Sequence, residues 1–412
     1  MTEGTVAAGE APLFDPFAEG FTADPYPQYA RLRESAPVYE HPLGFWVLTR
    51  YADVSALLRS SSSVEERNVN PGPLSQLREE VYGDRSPRAD GLSMLDRDPP
   101  DHTRLRRLVA KAFTPKAVRA LRPRITELVD DMLDEMAAAR RVDLVPALAF
   151  PLPFAVIAEM LGTPPTDHER VRDLSGMVVR SLEPVLDPDV LRAIDSAYQE
   201  LSGIAADMIA WKRRNPADDL LTALINAEED GDVLSDEELI AQVLLLYIAG
   251  HETTVNLISG GTLALLRHPD QFAALRADPG LVPNAVEEML RYDSPVQESR
   301  RITLEPTTIG GVEIPKGTFV LAILASANRD ERQWGEDADS LRLDREGARN
   351  HLSFGSGVHH CLGASLARLE ASVVFERMVS RFGDLALDGE VTWNGRINLR
   401  GPSALPVVTR PA

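Results

Sequence analysis

Between residues 102 and 300, apolar residues recur three and four positions apart, a spacing typical of amphipathic helices. The clearest segments are TRLRRLVAKAF, AVRALRPRITELVDDMLDEMAAA and VLRAIDSAYQELSGIAADMIAWKRR. A longer helix is predicted over residues 234–268, where Ser235 and Glu238 have the spacing of a capping box. At 1.5 Å per residue it would extend for about 50 Å. Its centre is apolar on nearly all sides, so we expect this helix to be buried.

Strand patterns lie closer to the two ends of the sequence. Residues 24–41 predict a short helix followed by a strand, and GFWVLTR at 44–50 alternates like a strand. Residues 300–324 contain strand patterns separated by GG and PKG turns, and short strands are predicted near the C-terminus. The sequence therefore predicts a mainly α fold with a small β portion from about residues 35–60, 300–325 and 385–412.

The same pattern predicts the domain organisation. We expect residues 1–12 to form a flexible tail and residues 13–412 to form a single domain. Residues 61–95 are rich in Ser, Pro, Gly and charge. Long irregular segments inside a compact domain commonly serve as lids or binding loops, so this stretch is predicted to be one.

Charge and hydropathy exclude several classes of protein. The formal net charge of −20 argues against nonspecific nucleic-acid binding, which needs a basic surface. The first residues are acidic and lack the apolar core of a secretory signal. The longest strongly apolar run, VLLLYIAG, is far shorter than the roughly 20 residues of a membrane span. We expect a cytoplasmic monomer that binds neither nucleic acid nor membrane.

Cys361 is the only cysteine in the chain, which excludes an internal disulfide and a cluster held by four cysteines. A helical pattern follows it directly, so the thiol would lie at a helix N-terminus, where unpaired N–H groups stabilise a thiolate. Gly355, Gly357 and Gly363 lack a Cβ atom and would let the backbone approach a large flat group. An axial haem thiolate needs this environment.

Other interpretations of Cys361 remain open at this point. A lone cysteine is most often a buried structural residue. A nucleophile with His359 or His360 as its base is a second interpretation, although adjacent residues rarely have suitable geometry. A zinc site would lack a fourth ligand, and GSGVHH lacks the third glycine of a dinucleotide-binding loop.

The cysteine stretch resembles the haem-binding signature of the cytochrome P450 family, F-x-x-G-x-x-x-C-x-G. Phe354, Gly357, Cys361 and Gly363 match every fixed position, and the resemblance extends over roughly residues 12–410. It implies a prism-shaped P450 fold in which haem b lies between the long helix and the cysteine segment. Cys361 would be the axial iron ligand, with Phe354, Gly355 and Gly363 beside the cofactor.

A polar interruption, AGHETT, lies in the apolar centre of the long helix. Burying such groups is costly unless they have partners, and Thr253 could donate to the carbonyl of Ala249 and bend the helix. A zinc-protease helix is excluded, because H-E-x-x-H would need a histidine where Val255 stands. The segment is similar to the P450 oxygen-activation motif. The resemblance implies that Thr253 and Glu252 deliver the protons for O–O cleavage, with Ala249 next to the haem.

Candidate anchors for the haem propionates are spread along the chain. His102 and Arg106 are four residues apart and share a helix face. Taken singly they would be ordinary surface residues. The resemblance implies that they hold the propionates together with Arg301 and His359, since buried carboxylates require cations and arginine binds them bidentately.

Glu288 and Arg291 have the E-x-x-R spacing of the family. On a helix this spacing usually forms a solvated ion pair of small energy. The resemblance instead implies a buried pair that locks the core beneath the cysteine segment.

The substrate pocket is predicted to be lined by residues 61–95, 178–186, 245–253, Val296 and the segment around Leu399. The named contacts are Leu245, Ala249, Val296 and Leu399. These positions are mostly apolar, so we expect a small, mostly hydrophobic organic substrate. Polar recognition could come from Asn68, Arg180 and Glu183.

The resemblance implies a monooxygenase that activates O₂ with two external electrons and hydroxylates or epoxidises its substrate. We expect the electrons to come from a ferredoxin and an NAD(P)H-dependent reductase, because the sequence contains no flavin or iron–sulfur domain. Arg104, Arg107 and Lys111 are predicted to form a basic docking patch. The alternatives are a peroxide-driven peroxygenase and a non-catalytic haem-binding sensor or carrier, and Glu252 with Thr253 argues against both.

Overall fold

The computed structural model describes residues 14–72, 76, 80, 92–111, 113–163, 168–185, 187–229 and 231–411. The predicted tail at 1–12, much of the predicted loop at 61–95 and Leu186 lie outside the described residues. The helices are α1 Tyr26–Ser35, α2 Tyr51–Arg59, α3 Asp101–Ala110, α4 Pro115–Ala120, α5 Arg122–Ala139, α6 Pro151–Leu161, α7 His168–Val179, α8 Pro188–Arg214, α9 Leu220–Ile225, α10 Asp236–Arg267, α11 Pro269–Ala277, α12 Val282–Tyr292, α13 Leu324–Ala327, α14 Glu331–Trp334 and α15 Ala364–Arg381.

The strands are short and are spread along the chain, most of them in residues 38–63, 298–323 and 382–411. They are β1 Val38–Glu40, β2 Trp46–Leu48, β3 Ser62–Ser63, β4 Arg141–Asp143, β5 Glu228–Glu229, β6 Asp232–Val233, β7 Glu298–Thr303, β8 Thr307–Ile309, β9 Val312–Ile314, β10 Phe319–Ile323, β11 Phe382–Leu387, β12 Thr392–Trp393, β13 Pro402–Ala404 and β14 Pro406–Pro411. The prediction of a mainly helical fold with a small β portion is confirmed.

The larger sheet joins N-terminal strands to strands from the middle of the chain in the order β1-β2-β10-β7-β3. β10 pairs parallel with β2 and antiparallel with β7. A second sheet has the order β11-β14-β4. Its edge strand β4 was not predicted, because three residues between two helical patterns carry no periodic signal.

The long helix α10 begins and ends close to the predicted limits. Ser235 Oγ accepts the N–H of Glu238 at 3.1 Å, and Glu238 Oε2 accepts the N–H of Ser235 at 2.9 Å, which is the predicted capping box. The reciprocal bonds satisfy donors that the first helical turn leaves unpaired.

Two large apolar clusters meet along α10. Its N-terminal half, including Val243 and Tyr247, packs with α6, α7, α8 and α9. Its C-terminal half, including Val255 and Ile258, packs with α5, α12 and α15. The polar segment 249–254 lies where the two clusters meet, so packing on both sides fixes its position. In the described part of the chain, none of the helices has the length and apolar character needed to cross a membrane.

Candidate active site

The cysteine loop, residues 354–363, places the thiol just before α15. The N–H of Cys361 donates to the carbonyl of Phe354 at 2.8 Å, and the N–H of His360 donates to the carbonyl of Gly357 at 3.1 Å. Two residues further on, Gly363 caps the N-terminus of α15. These bonds fold the loop so that the sulfur lies at the positive end of a helix.

The thiol of Cys361 is exposed on one side and enclosed by protein on the others. Burial raises the pKa of the Cys361 thiol, whereas hydrogen bonds from the N–H groups of Gly363 and Ala364 and the charges of Arg106 and Arg368 lower it. The surroundings thus offer donors and positive charge to a thiolate. A ligand that displaces the thiol proton would be stabilised here.

Two glycines of the loop have positive φ angles but different neighbours within the protein. Gly357 has φ +70°, and a Cβ atom there would lie 2.3 Å from the main-chain oxygen of Leu58. Its glycine requirement comes from packing against the end of α2. Gly355 also has a positive φ, +67°, but a Cβ atom there would have His359 O as its nearest neighbour at 3.7 Å.

Two histidines from distant segments meet beside the loop. The rings of His102 on α3 and His359 lie 4.3 Å apart. Both ring nitrogens of His102, and Nε2 of His359, are buried without a hydrogen-bond partner among the described residues. Burial and then the nearby Arg301, His102 and Arg106 lower the pKa of His359 to about 3. The site would therefore gain from an anionic hydrogen-bond acceptor.

The two predicted arginines complete this group of side chains. Arg301 on β7 is 5 % exposed, and burial lowers its pKa to about 10. Its Nη1 donates to Ser299 Oγ and to the carbonyl of Arg300. Arg106 Nη2 donates to the carbonyl of His360 at 2.6 Å. All the predicted propionate anchors therefore converge next to the cysteine loop.

The centre of α10 is less buried than the helical turns on either side of it. Ala249 is exposed, although the helix on both sides is largely buried. Thr253 Oγ1 donates to the carbonyl of Ala249 at 3.0 Å, the bond predicted from the sequence. The small side chain and the adjacent hydroxyl leave an accessible face on an otherwise packed helix.

Glu252 has a partner that the sequence did not suggest. Arg396 Nη1 forms a hydrogen-bonded ion pair with Glu252 Oε1, across 144 residues of sequence. His251 Nε2 lies 3.7 Å from Glu252 Oε2, and burial lowers the pKa of His251. No local spacing rule links positions so far apart, so only the tertiary structure reveals this pair.

Glu288 and Arg291 form a fully buried ion pair on α12. Both side chains are 0 % exposed, and two hydrogen bonds of 2.7 and 2.9 Å join them. Arg291 also donates to main-chain carbonyls, and Arg345 Nε donates to Glu288 Oε1 at 3.0 Å. A buried charge pair is stable when its remaining hydrogen-bonding groups are satisfied in this way.

The structure brings together part of the predicted substrate contacts. Val296 and Leu399 form an isolated antiparallel bridge, while Leu245 and Ala249 lie one turn apart on α10. A small apolar cavity between α7, α8 and α10 contains none of these side chains in its lining. It leaves about 10 Å³ for the centre of a water molecule, which is too small for an organic substrate.

The predicted polar substrate contacts have other surroundings. The carboxylate of Glu183 accepts the N–H groups of Ile397 at 2.7 Å and Asn398 at 3.0 Å. Asn68 Nδ2 donates to Ser63 Oγ at 2.8 Å, and Arg180 is exposed. Glu183 and Asn68 are therefore engaged within the protein.

The predicted docking patch also changes. Arg104 forms ion pairs with Asp232, at 3.3 Å, and with Glu238. Lys111 Nζ donates to the carbonyl of Glu228 at 2.8 Å. Acidic partners from a distant hairpin and from the start of α10 thus compensate the charge of Arg104, while the docking patch itself stays a prediction.

Comparison with known proteins places the chain in a family. The cytochrome P450 family model matches residues 181–392. Cytochrome P450 107B1 of Saccharopolyspora erythraea is 43 % identical over 415 residues, which covers 98 % of this chain and 99 % of that protein. The chain belongs to the cytochrome P450 family. The vitamin D(3) 25-hydroxylase of Pseudonocardia autotrophica is a 42 % identical P450 relative over 96 % of each chain.

The fold of the P450 agrees with solved structures. The polyketide synthase cytochrome P450 PksS of Bacillus subtilis 168 has a TM-score of 0.85 and 36 % identity, with 96 % of this chain and 99 % of that chain covered. The protein is a P450 monooxygenase that binds haem b, uses O₂ and acts on a small hydrophobic molecule with electrons from redox partners. Because its relatives are P450 monooxygenases, the comparisons do not favour a peroxide-driven peroxygenase or a non-catalytic haem-binding sensor.

The residues of this P450 fit haem b. The unpartnered imidazole nitrogens and the buried Arg301 suit the two propionates of the cofactor. The exposed sulfur of Cys361, with helix-terminal N–H groups directed towards it, suits a thiolate ligand of iron.

Proposed function

We propose that Cys361 is the axial ligand of the haem iron and that His102, Arg106, Arg301 and His359 hold the propionates. The observation that carries this assignment is the convergence of these side chains, with unpartnered ring nitrogens, beside the loop that presents the thiol. Phe354, Gly355 and Gly363 would hold the loop against the cofactor.

The bound haem supplies the redox centre at which O₂ accepts two electrons and two protons, so that one oxygen atom enters the substrate and the other leaves as water. Thr253 donates a hydrogen bond to the Ala249 carbonyl at rest, and rotation of its hydroxyl would present the same proton to the open face of α10. Glu252, which is 14 % exposed and paired with Arg396, would return a proton to Thr253.

The substrate would lie against the exposed face of α10 and the bridged pair Val296–Leu399. Leu245 and Ala249 contribute a largely apolar wall to this space, which favours a mostly hydrophobic molecule. The vitamin D(3) hydroxylase and the polyketide synthase P450 described above support a bulky substrate of this kind.

Replacement of Thr253 by alanine tests the proton-delivery role. In Thr253→Ala we expect haem binding and the substrate-induced spin shift to persist, while product formed per NAD(P)H falls by about 10-fold or more and peroxide release rises. Thr253→Ser should restore coupling, because it keeps the hydroxyl.

Thr262→Ala is the matched control for this variant. Thr262 is on the same helix, donates to the carbonyl four residues earlier at 2.8 Å and is fully buried away from the open face. Unchanged coupling in Thr253→Ala, or equal uncoupling in both variants, would remove Thr253 from the mechanism.

We further propose that a ferredoxin, reduced by an NAD(P)H-dependent reductase, is the electron donor. It would dock on the outer side of the cysteine loop, where Val358 is 52 % exposed. Arg59 Nε donates to Ser356 Oγ there, and Arg106 holds the carbonyl of His360. An apolar centre with arginines around it suits an acidic partner.

Charge reversal tests this docking surface. Arg59→Glu and Arg107→Glu should slow reduction by ferredoxin more at low salt than at high salt, since exposed charges are screened by ions. The control is Arg141→Glu, because Arg141 is 72 % exposed and lies in the second sheet. If reduction rates of the Arg59 variant match those of the control at every salt concentration, the proposed surface is wrong.

The remaining proposals concern location and organisation. We propose that the protein acts in the cytoplasm and that residues 13–412 form a single domain preceded by a tail. The domain organisation can be tested by brief proteolysis. We expect it to remove only the first residues and to leave an intact fragment that keeps the haem spectrum. Cleavage into two stable halves would contradict it.

A further inference from the structure

The C-terminal loop, residues 394–401, connects the proposed proton-relay acid to α7. Arg396 from this loop pairs with Glu252 through Nη1, and its Nη2 approaches the carbonyl of Gly176 on α7 at 3.4 Å. The side chains of Arg396 and Glu252 are only 17 % and 14 % exposed. Solvent therefore screens this pair less than it screens a surface pair.

A second connection joins the same loop to the segment that follows α7. Glu183 comes directly after the short 3₁₀ turn Arg180–Leu182 and accepts the N–H groups of Ile397 and Asn398. Position and orientation of the C-terminal loop are thus set by contacts with both α7 and its C-terminal turn.

The other end of the loop reaches the proposed substrate site. Leu399 bridges Val296, and the N–H of Gln297 donates to the carbonyl of Asn398 at 2.8 Å. The C-terminal loop therefore contacts Glu252, α7 with the turn that follows it, and Val296, which is a proposed substrate contact.

Arg396 is the cation that faces Glu252 among the described residues. The other group near the carboxylate is His251, whose pKa is lowered by burial and whose Nδ1 lies 2.8 Å from the carbonyl of Tyr247. A neutral imidazole at 3.7 Å holds a carboxylate far less firmly than a hydrogen-bonded guanidinium does.

We propose that Arg396 is a positioning residue that fixes the carboxylate of Glu252 for proton transfer and makes its position depend on α7. This inference rests on the proposed role of Glu252 and Thr253. Displacement of α7 would remove the Gly176 carbonyl from Arg396 and pull on the loop through Glu183, so the relay is complete only when α7 lies in place. A proton would then reach the open face of α10 mainly while α7 holds the C-terminal loop in this position.

The test measures how the fate of the electrons and protons changes in Arg396 variants. In Arg396→Gln we expect product per NAD(P)H to fall by about 10-fold, less than the full effect of a general acid, with more peroxide and a changed solvent deuterium isotope effect on turnover. Arg396→Lys keeps the charge but lacks the second arm, so an intermediate value is expected. Arg141→Gln, which breaks an exposed ion pair with Asp388, should behave as wild type.

Glu183→Gln tests the coupling to α7 while leaving the Arg396 side chain in place, and it also removes a carboxylate whose charge acts on Arg396. It removes one of the two carboxylate oxygens that accept N–H groups of the loop, so we expect peroxide release to rise, but by less than in Arg396→Gln. In the double variant with Arg396→Gln the effects should be less than additive, because both act through the same loop.

The outcomes separate this inference from the proposed function. If Thr253→Ala and Glu252→Gln uncouple the enzyme but Arg396→Gln keeps wild-type coupling and isotope effect, the role of Arg396 is overturned and the relay stands. If neither Thr253→Ala nor Glu252→Gln changes coupling, the relay itself is wrong. Should Arg396→Gln fail to take up haem, Arg396→Lys and Glu183→Gln decide, and wild-type peroxide release in both would refute the proposal.

Discussion

Replacing Gly357 by alanine perturbs the cysteine loop at one atom. The backbone there has φ +70°, and the new Cβ atom would lie 2.3 Å from Leu58 O and 3.3 Å from Arg59 Cα. The left-handed conformation costs an L-residue about 1–2 kcal/mol. Overpacking against a main-chain oxygen that cannot rotate away adds about 1–3 kcal/mol. The sum predicts a loss of about 2–5 kcal/mol and a displaced loop.

Gly311→Ala isolates the conformational part of this cost. Gly311 has φ +82°, yet a Cβ atom there would meet nothing within 4 Å. Denaturant unfolding of the two holoproteins should show a loss of about 1–2 kcal/mol for Gly311→Ala and a clearly larger loss for Gly357→Ala. Haem content and the carbon monoxide spectrum should change only in Gly357→Ala. Equal stability and equal spectra in the two variants would refute the argument from the Leu58 approach.

Other regions give predictions of the same kind. Glu288→Gln should lower the free energy of unfolding in denaturant titrations by about 3–5 kcal/mol, because it leaves Arg291 and Arg345 buried without their anion. The control Asp134→Asn, in an exposed pair with Arg381, should change this free energy by less than 1 kcal/mol. Similar losses in both variants would contradict the reasoning. Glu370 is buried with Oε2 unpartnered, and burial raises its pKa to about 8. Its protonated form is favoured in the folded state, so the stability present below about pH 4.5 is lost as pH rises towards 8, at up to about 1.4 kcal/mol per pH unit. Glu370→Gln should flatten this slope in unfolding titrations between pH 5 and 8, whereas Glu376→Gln, on the same helix and partly exposed, should leave it unchanged; an unaltered slope in Glu370→Gln would show that its carboxyl does not titrate as described.

Much of the fold could be predicted because its signals are local. The capping box at Ser235, the back-bond of Thr253 and the position of Cys361 before α15 each depend on residues within a few positions of one another. The P450 family is likewise identified from the fixed spacing of Phe354, Gly357, Cys361 and Gly363.

The parts that sequence reasoning missed depend on distant contacts. Arg396 meets Glu252 only because the C-terminal loop returns to α10, and Glu183 is satisfied by N–H groups of that same loop. Arg104 was predicted as part of a basic patch, and the sequence did not show that Asp232 and Glu238 lie next to it in space. A single sequence carries no periodic signal for such pairs.

Gly357 has a steric requirement for glycine that the sequence did not reveal. The sequence predicts close approach to a flat ligand, and the structure adds a close approach to Leu58 at the end of α2. Both interpretations require a glycine, so residue type alone does not distinguish them.

The spectrum of the reduced, carbon monoxide-bound protein tests the assignment of Cys361 most directly. Wild-type protein reconstituted with haem should give the absorption of a thiolate-ligated haem, and Cys361→Ser should lose it while His102→Ala keeps it at reduced haem affinity. A thiolate signature that survives in Cys361→Ser, or a wild-type protein that binds no haem, would contradict the account.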